Sequence, residues 1–155
     1  MSRSLHRSHY LLGLPVAAGI MLAQAATPAR AQALPNATGQ EVLIKASLMS
    51  FNDANVTGNY TVFHAKLAKP FRDQFSPEKL KATFKSFNEK NVDFDIVVAK
   101  QPIPDETAVI DAEGGLKLAG HFETKPSQVK YNLDFIRSDG DWKLVGINVK
   151  LGDGN

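Results

Sequence analysis

The sequence predicts an α+β domain in which helices from the front of the chain cover one face of a curved antiparallel β-sheet built from its second half. Three observations lead there. Apolar residues recur at helical spacing from about residue 38 to 90, and from Asn91 the period shortens to two. Turn clusters, Glu113-Gly114-Gly115 and Ser138-Asp139-Gly140-Asp141, then separate the later segments at hairpin intervals. A chain of 155 residues with 43% hydrophobic residues supports one core, and no internal repeat or second domain is visible.

The first helix is expected to open on Thr38-x-x-Glu41, the pattern of a capping box, in which the hydroxyl and the carboxylate each satisfy an orphan N–H of the first turn. It should run to about Asn52 or Ala54, with Val42, Ala46 and Met49 on one stripe and Leu43 beside it, and Gly58 should end the segment. A second helix, about Asn59 to Ala68, places Tyr60, Phe63, His64 and Leu67 on one face, with Pro70 as its terminator. Phe71 to Phe75 reads as a short strand or an irregular turn. Ser76 then caps a third helix with Pro77 in the first helical position and Glu78 at the positive end of the dipole. Leu80, Phe84 and Phe87 form its buried stripe, and Lys79, Lys81, Lys85 and Lys90 its solvated face.

In the second half, Val92, Phe94, Ile96 and Val98 alternate with Asp93, Asp95 and Val97 as a strand that Pro102-Ile103-Pro104 breaks. Thr107 to Asp111 makes a short strand. Leu116 to Glu123 points Leu116, Leu118 and Phe122 one way and Lys117, Ala119 and His121 the other. Val129, Tyr131, Leu133 and Phe135 alternate with Lys130, Asn132, Asp134 and Ile136. The last strand, Trp142 to Leu151, carries Val145, Ile147, Val149 and Leu151 as one row and begins the opposite row with Trp142 and Leu144.

Ahead of this domain, residues 1–33 read as a secretory signal peptide: a basic start with Arg3 and Arg7, an apolar stretch from Tyr10 to Ala26, and Ala31-Gln32-Ala33 as the cleavage site before Leu34. Residues 34–37 then form a flexible lead-in, 38–151 the domain and 152–155 a tail. Pro15, Gly13 and Gly19 break the apolar run, which argues for cleavage and against a lasting membrane anchor. The expected location is the periplasm or the exterior. Three of the 18 basic residues and none of the 16 acidic ones lie in this leader, so the formal net charge of +2 turns slightly negative without it. Nucleic acid, which demands a basic surplus, is not an expected partner. The chain has no cysteine, which excludes a disulfide scaffold, a thiolate nucleophile and a Cys-ligated metal. The sequons at Asn36, Asn55 and Asn59 are better explained as cap and turn residues than as glycan acceptors.

The order of helices and meander, with Phe51-Asn52-Asp53 late in the first helix, Gly58-Asn59-Tyr60 opening the second and Gly140-Asp141-Trp142-Lys143-Leu144 entering the last strand, resembles the nuclear transport factor two-like superfamily over about residues 38–151. The resemblance implies a cone-like half barrel wrapped around helices, an internal pocket and, in many members, a homodimer through the sheet. The superfamily includes isomerase-like and dehydratase-like enzymes beside many small exported proteins, so fold alone does not choose an activity.

An isomerase-type mechanism needs an inward carboxylate and an oxyanion donor in an apolar cavity. Parity turns Asp93, Asp95, His121 and Asp134 away from the apolar rows, which leaves His64, the Tyr131 hydroxyl and Tyr60 as the polar candidates for a pocket. The two histidines beyond the leader have no spaced partner for zinc, and no calcium loop, Gly-x-Ser-x-Gly elbow, phosphate loop or dinucleotide fingerprint occurs, so no metal or cofactor is implied. The sequence therefore reads as an exported non-catalytic module that binds a small apolar ligand or a protein partner. The alternative is a small-molecule isomerase, dehydratase or hydrolase using His64 and Tyr131.

Overall fold

A computed structural model describes residues 33–153; apart from Ala33, the expected leader lies outside them, as does the end of the tail. Helix α1 spans Ala37–Thr57. Its cap is Asn36, whose Oδ1 accepts from the Gly39 N–H at 2.8 Å, so the expected Thr38 capping box does not form. Asn caps at least as well as Thr, and Glu41 is left to pair with Lys45 one turn on, at 2.8 Å. Gly58 closes the segment in the left-handed region at φ 65°, as expected, and the helix runs on to it, to Thr57, past the expected end near Ala54.

The face that α1 buries is Ile44, Leu48, Phe51 and Ala54; of the predicted stripe Met49, with Leu43 beside it, packs against this core, while Val42 is 60% exposed and Ala46 is exposed. Helix α2, Thr61–Lys66, is shorter than expected, because at Leu67 the chain turns extended and bridges Leu144 in parallel, with the Ala68 N–H donating to the Leu144 carbonyl at 2.9 Å. Pro70 does not terminate a helix. It sits in the first turn of α3, Lys69–Arg72, where a missing N–H costs nothing, and that helix replaces the strand or turn expected from Phe71. Ser76 caps α4, Pro77–Thr83, as the sequence predicts. The third predicted helix is broken at Phe84 into α4 and α5, Lys85–Glu89. The break lets Phe84 and Phe87 both pack on Phe51, with ring centroids 4.7 and 5.5 Å away.

The alternating run from Val92 to Val98 is not a strand. Asp93 Oδ1 accepts from the Asp95 N–H at 3.1 Å, an Asx turn that leads into a 3₁₀ helix over Asp95–Ala99. Buried Asn52 fastens this turn to α1: its Nδ2 donates to Asp93 Oδ1 at 2.8 Å and its Oδ1 accepts from the Phe94 N–H at 3.0 Å. Phe94 and Val97, three apart, are buried, while Ile96 and Val98 are exposed.

The sheet is open, antiparallel and five-stranded. Its path runs β1 (Ile103–Pro104), β3 (Leu116–Phe122), β4 (Ser127–Ser138), β5 (Asp141–Asp153), and β2 (Val109–Ile110) also pairs with β3. Pro102-Ile103-Pro104 was expected to break a strand, yet Ile103 and Pro104 are one, at a sheet edge where proline's missing donor faces outward. Asp139 and Gly140, both at positive φ, make the two-residue β4–β5 turn. Leu116, Leu118, Phe122, Val129, Tyr131, Leu133 and Phe135 all face the helices, as predicted, in one cluster with Ile44, Leu48, Phe51, Phe63 and Phe94.

The parity of β5 differs from expectation. Phe135 opposes Leu144 but Asp134 opposes Gly146, so Val145 is the extra residue of a β-bulge. The slip places Leu144 on the inner face with Ile147 and Val149 and removes Val145 from that row.

Candidate functional site

The three residues singled out from the sequence occupy separate polar environments. Tyr60 is buried and its hydroxyl donates to Asn55 Oδ1; burial pushes its pKa from 10.0 up to about 12. Tyr131 packs beside Phe122 with ring centroids 5.6 Å apart, and burial, followed by the charge of Asp105, pushes it too up to about 12. Gly120, on the neighbouring strand, admits this ring: a Cβ there would meet the Ile103 carbonyl and the Tyr131 ring. His64 is half-buried, with Nε2 3.2 Å from the Arg72 carbonyl. None of their hydrogen bonds joins one to another, and of the two phenols only that of Tyr60 donates to a side chain.

A cleft forms elsewhere, where the parallel bridge at Leu67 and the bulge of β5 draw α2 against the end of the sheet. Its volume is about 210 Å³. From α1 it receives Val42, Leu43, Ala46, Ser47 and Ser50; from α2 and the bridge, Phe63, Lys66 and Leu67; from the sheet, Phe135, Trp142, Lys143 and Leu144. The predicted α1 stripe therefore has a place after all. Val42 and Ala46 are not core but one wall of this cleft. A shallower trough continues from it, sharing Val42, Leu43, Trp142 and Lys143 and reaching Arg137, whose guanidinium lies 5.1 Å from the centre of the Trp142 ring.

One polar atom in that lining is out of place. Ser50 is buried and its hydroxyl has no hydrogen-bond partner. A helical Ser or Thr can return its hydroxyl to the carbonyl four residues back, as Thr57 does to Asp53 at 2.6 Å and Thr83 to Lys79 at 2.9 Å. Ser50 does not, so its hydroxyl stays unpaired on a wall whose other residues are Val42, Leu43, Ala46 and Ser47. Neither Ser50 nor the bulge was found from sequence. The available signal was that α1 carries two apolar stripes, and one core needs only one of them.

Of the outward-facing residues, His121 lies between two carboxylates, Nδ1 2.6 Å from Asp105 and Nε2 3.2 Å from Glu123, on the sheet face away from the helices. Asp134 shares that outer face, opposite Lys117. Among the described residues no group of three or more His, Asp or Glu side chains is placed to hold a metal ion, and no helix is long and apolar enough to cross a membrane.

Fold and cleft together define a class: an α+β protein with helices on one face of an open antiparallel sheet and a small apolar cleft where helix and sheet meet. Neither the protein-family models nor the curated proteins nor the solved structures match this chain.

Proposed function

We propose that the chain is an exported, non-catalytic module that holds a small apolar ligand in the cleft between α1, α2 and β5. The observation that carries this reading is the unpartnered hydroxyl of buried Ser50 in the lining of a largely apolar cleft. Leaving such a group unpaired costs about 1–3 kcal/mol, which a ligand with one polar atom would recover. The outer sheet face, with Lys117, Lys130 and Asn132 exposed, is too polar to favour a protein partner over this ligand. The separation of Tyr60, His64 and Tyr131 likewise favours binding over acid–base chemistry. The order of helices and hairpins supports membership of the nuclear transport factor two-like superfamily, with the cleft as the mouth of its cone, and the leader supports export.

Trp142 is the chain's one tryptophan and lines the cleft, so its emission reports occupancy directly. Titration of the purified protein with 1-octanol should give a saturable change that Ala46→Phe, which fills the cleft, abolishes. A linear, non-saturating response, unaltered by Ala46→Phe, would refute the assignment.

A further inference from the structure

Resting on the cleft reading, we propose that the ligand is an anion: a small apolar acid whose carboxylate meets Lys66 and Lys143 while its hydrocarbon part lies along Val42, Phe63 and Trp142. The two lysines immediately precede the paired Leu67 and Leu144, one in the last turn of α2 and one in β5, and the lining of the cleft contains no acidic residue. Neither ammonium is committed elsewhere. Lys66 makes no hydrogen bond or ion pair among the described residues, and Lys143 has only Asp141, at 3.9 Å and three-quarters exposed. Lys45, Lys69 and Lys85 each pair with an acid one helical turn away, Glu41, Asp73 and Glu89. Lys66 has no such partner, and with Lys143 it lines the cleft that Ser50 also lines.

The chemistry follows from the donors. Two ammonium groups and one hydroxyl offer charge-assisted hydrogen bonds to a carboxylate, whereas an organic cation would meet only like charge. At about 210 Å³ the cleft is smaller than the roughly 300–1,000 Å³ of sites for drug-sized molecules. A short-chain or single-ring acid in free solution fits it better than a two-chain lipid in a membrane.

The test compares three probes of one chain length, octanoate, 1-octanol and octylamine, by Trp142 emission, in the native protein and in the double variant Lys66→Gln, Lys143→Gln. Octanoate should bind about tenfold more tightly than 1-octanol, octylamine should bind most weakly, and the octanoate preference should shrink with added salt. The double variant should keep less than about twofold preference for octanoate over 1-octanol. Both substitutions lie outside the core, so folding is not at stake. If 1-octanol binds as well as octanoate, or if the double variant keeps the full preference or loses both probes equally, the anion assignment is wrong while the cleft stands. If no probe saturates, the cleft reading falls and this inference falls with it.

Discussion

Tyr60 and Tyr131 show how burial, aided at Tyr131 by the charge of Asp105, sets a residue's chemistry. Each phenol would lose its proton near 10.0 in water and is pushed up to about 12 in the fold, because a phenolate among Phe84, Phe63 or Phe122 has too little solvation. The sign of the consequence is fixed. Between about pH 10 and 12 the unfolded chain sheds protons that the native chain keeps, so stability is whole below 10 and declines above it. Each tyrosine should contribute up to roughly 1.4 kcal/mol per pH unit to that decline. Denaturant melts across the interval should show it, and Tyr131→Phe should remove its share. A flat profile would mean that the phenols are already solvated. Asn52 makes a second residue-scale case. Its two bonds clip the Asp93 turn to α1, so Asn52→Ala leaves the buried Phe94 N–H without its acceptor. A loss of about 2–3 kcal/mol in chemical denaturation is expected.

At the scale of elements, α1 has two apolar faces with different duties. Phe51 is the hub of an aromatic cluster, with Phe63, Phe84, Phe87 and Phe94 all within 6.3 Å of its ring centre. Phe51→Ala should therefore cost about 3–5 kcal/mol. Val42, 60% exposed on the cleft wall, should cost less than about 0.5 kcal/mol on substitution by Ser, while weakening binding of 1-octanol. The two variants together separate core from site by thermal melts and Trp142 titration. Periodicity made the rows of β3 and β4 legible in the sequence, and Ser76-Pro77-Glu78 marked a helix start at the right residue. It misled wherever a side chain competed with the pattern. Asp93 turned an alternating run into a 3₁₀ turn, and Asn36 took the cap from Thr38. The bulge at Val145 is a relation between two strands, and no single-strand pattern contains it. Because the cleft is shaped by that bulge and by the Leu67–Leu144 bridge, its residues were individually visible and their meeting was not.

For the whole molecule, site and stability are coupled through Ser50. Its residue is buried on the longest helix and its hydroxyl is unpaired, so the empty protein bears a cost that has no structural return. Asn55 Nδ2 is likewise buried without a partner but lies outside the cleft, so the case for Ser50 rests on its place in the lining. Ser50→Ala removes the hydroxyl while keeping a good helix former. The empty variant should therefore melt higher than the native protein, by roughly 1 kcal/mol or a few degrees. The bound comparison runs the other way. A ligand at a hundredfold its Kd stabilises the native protein by about 2.7 kcal/mol, and with octanoate at that fixed concentration the variant should gain at least 1 kcal/mol less, because the hydroxyl's contribution is gone. Differential scanning calorimetry with and without octanoate measures both. An advantage that octanoate cancels or reverses identifies Ser50 as a binding group; a variant less stable in both would show that the hydroxyl serves the fold instead.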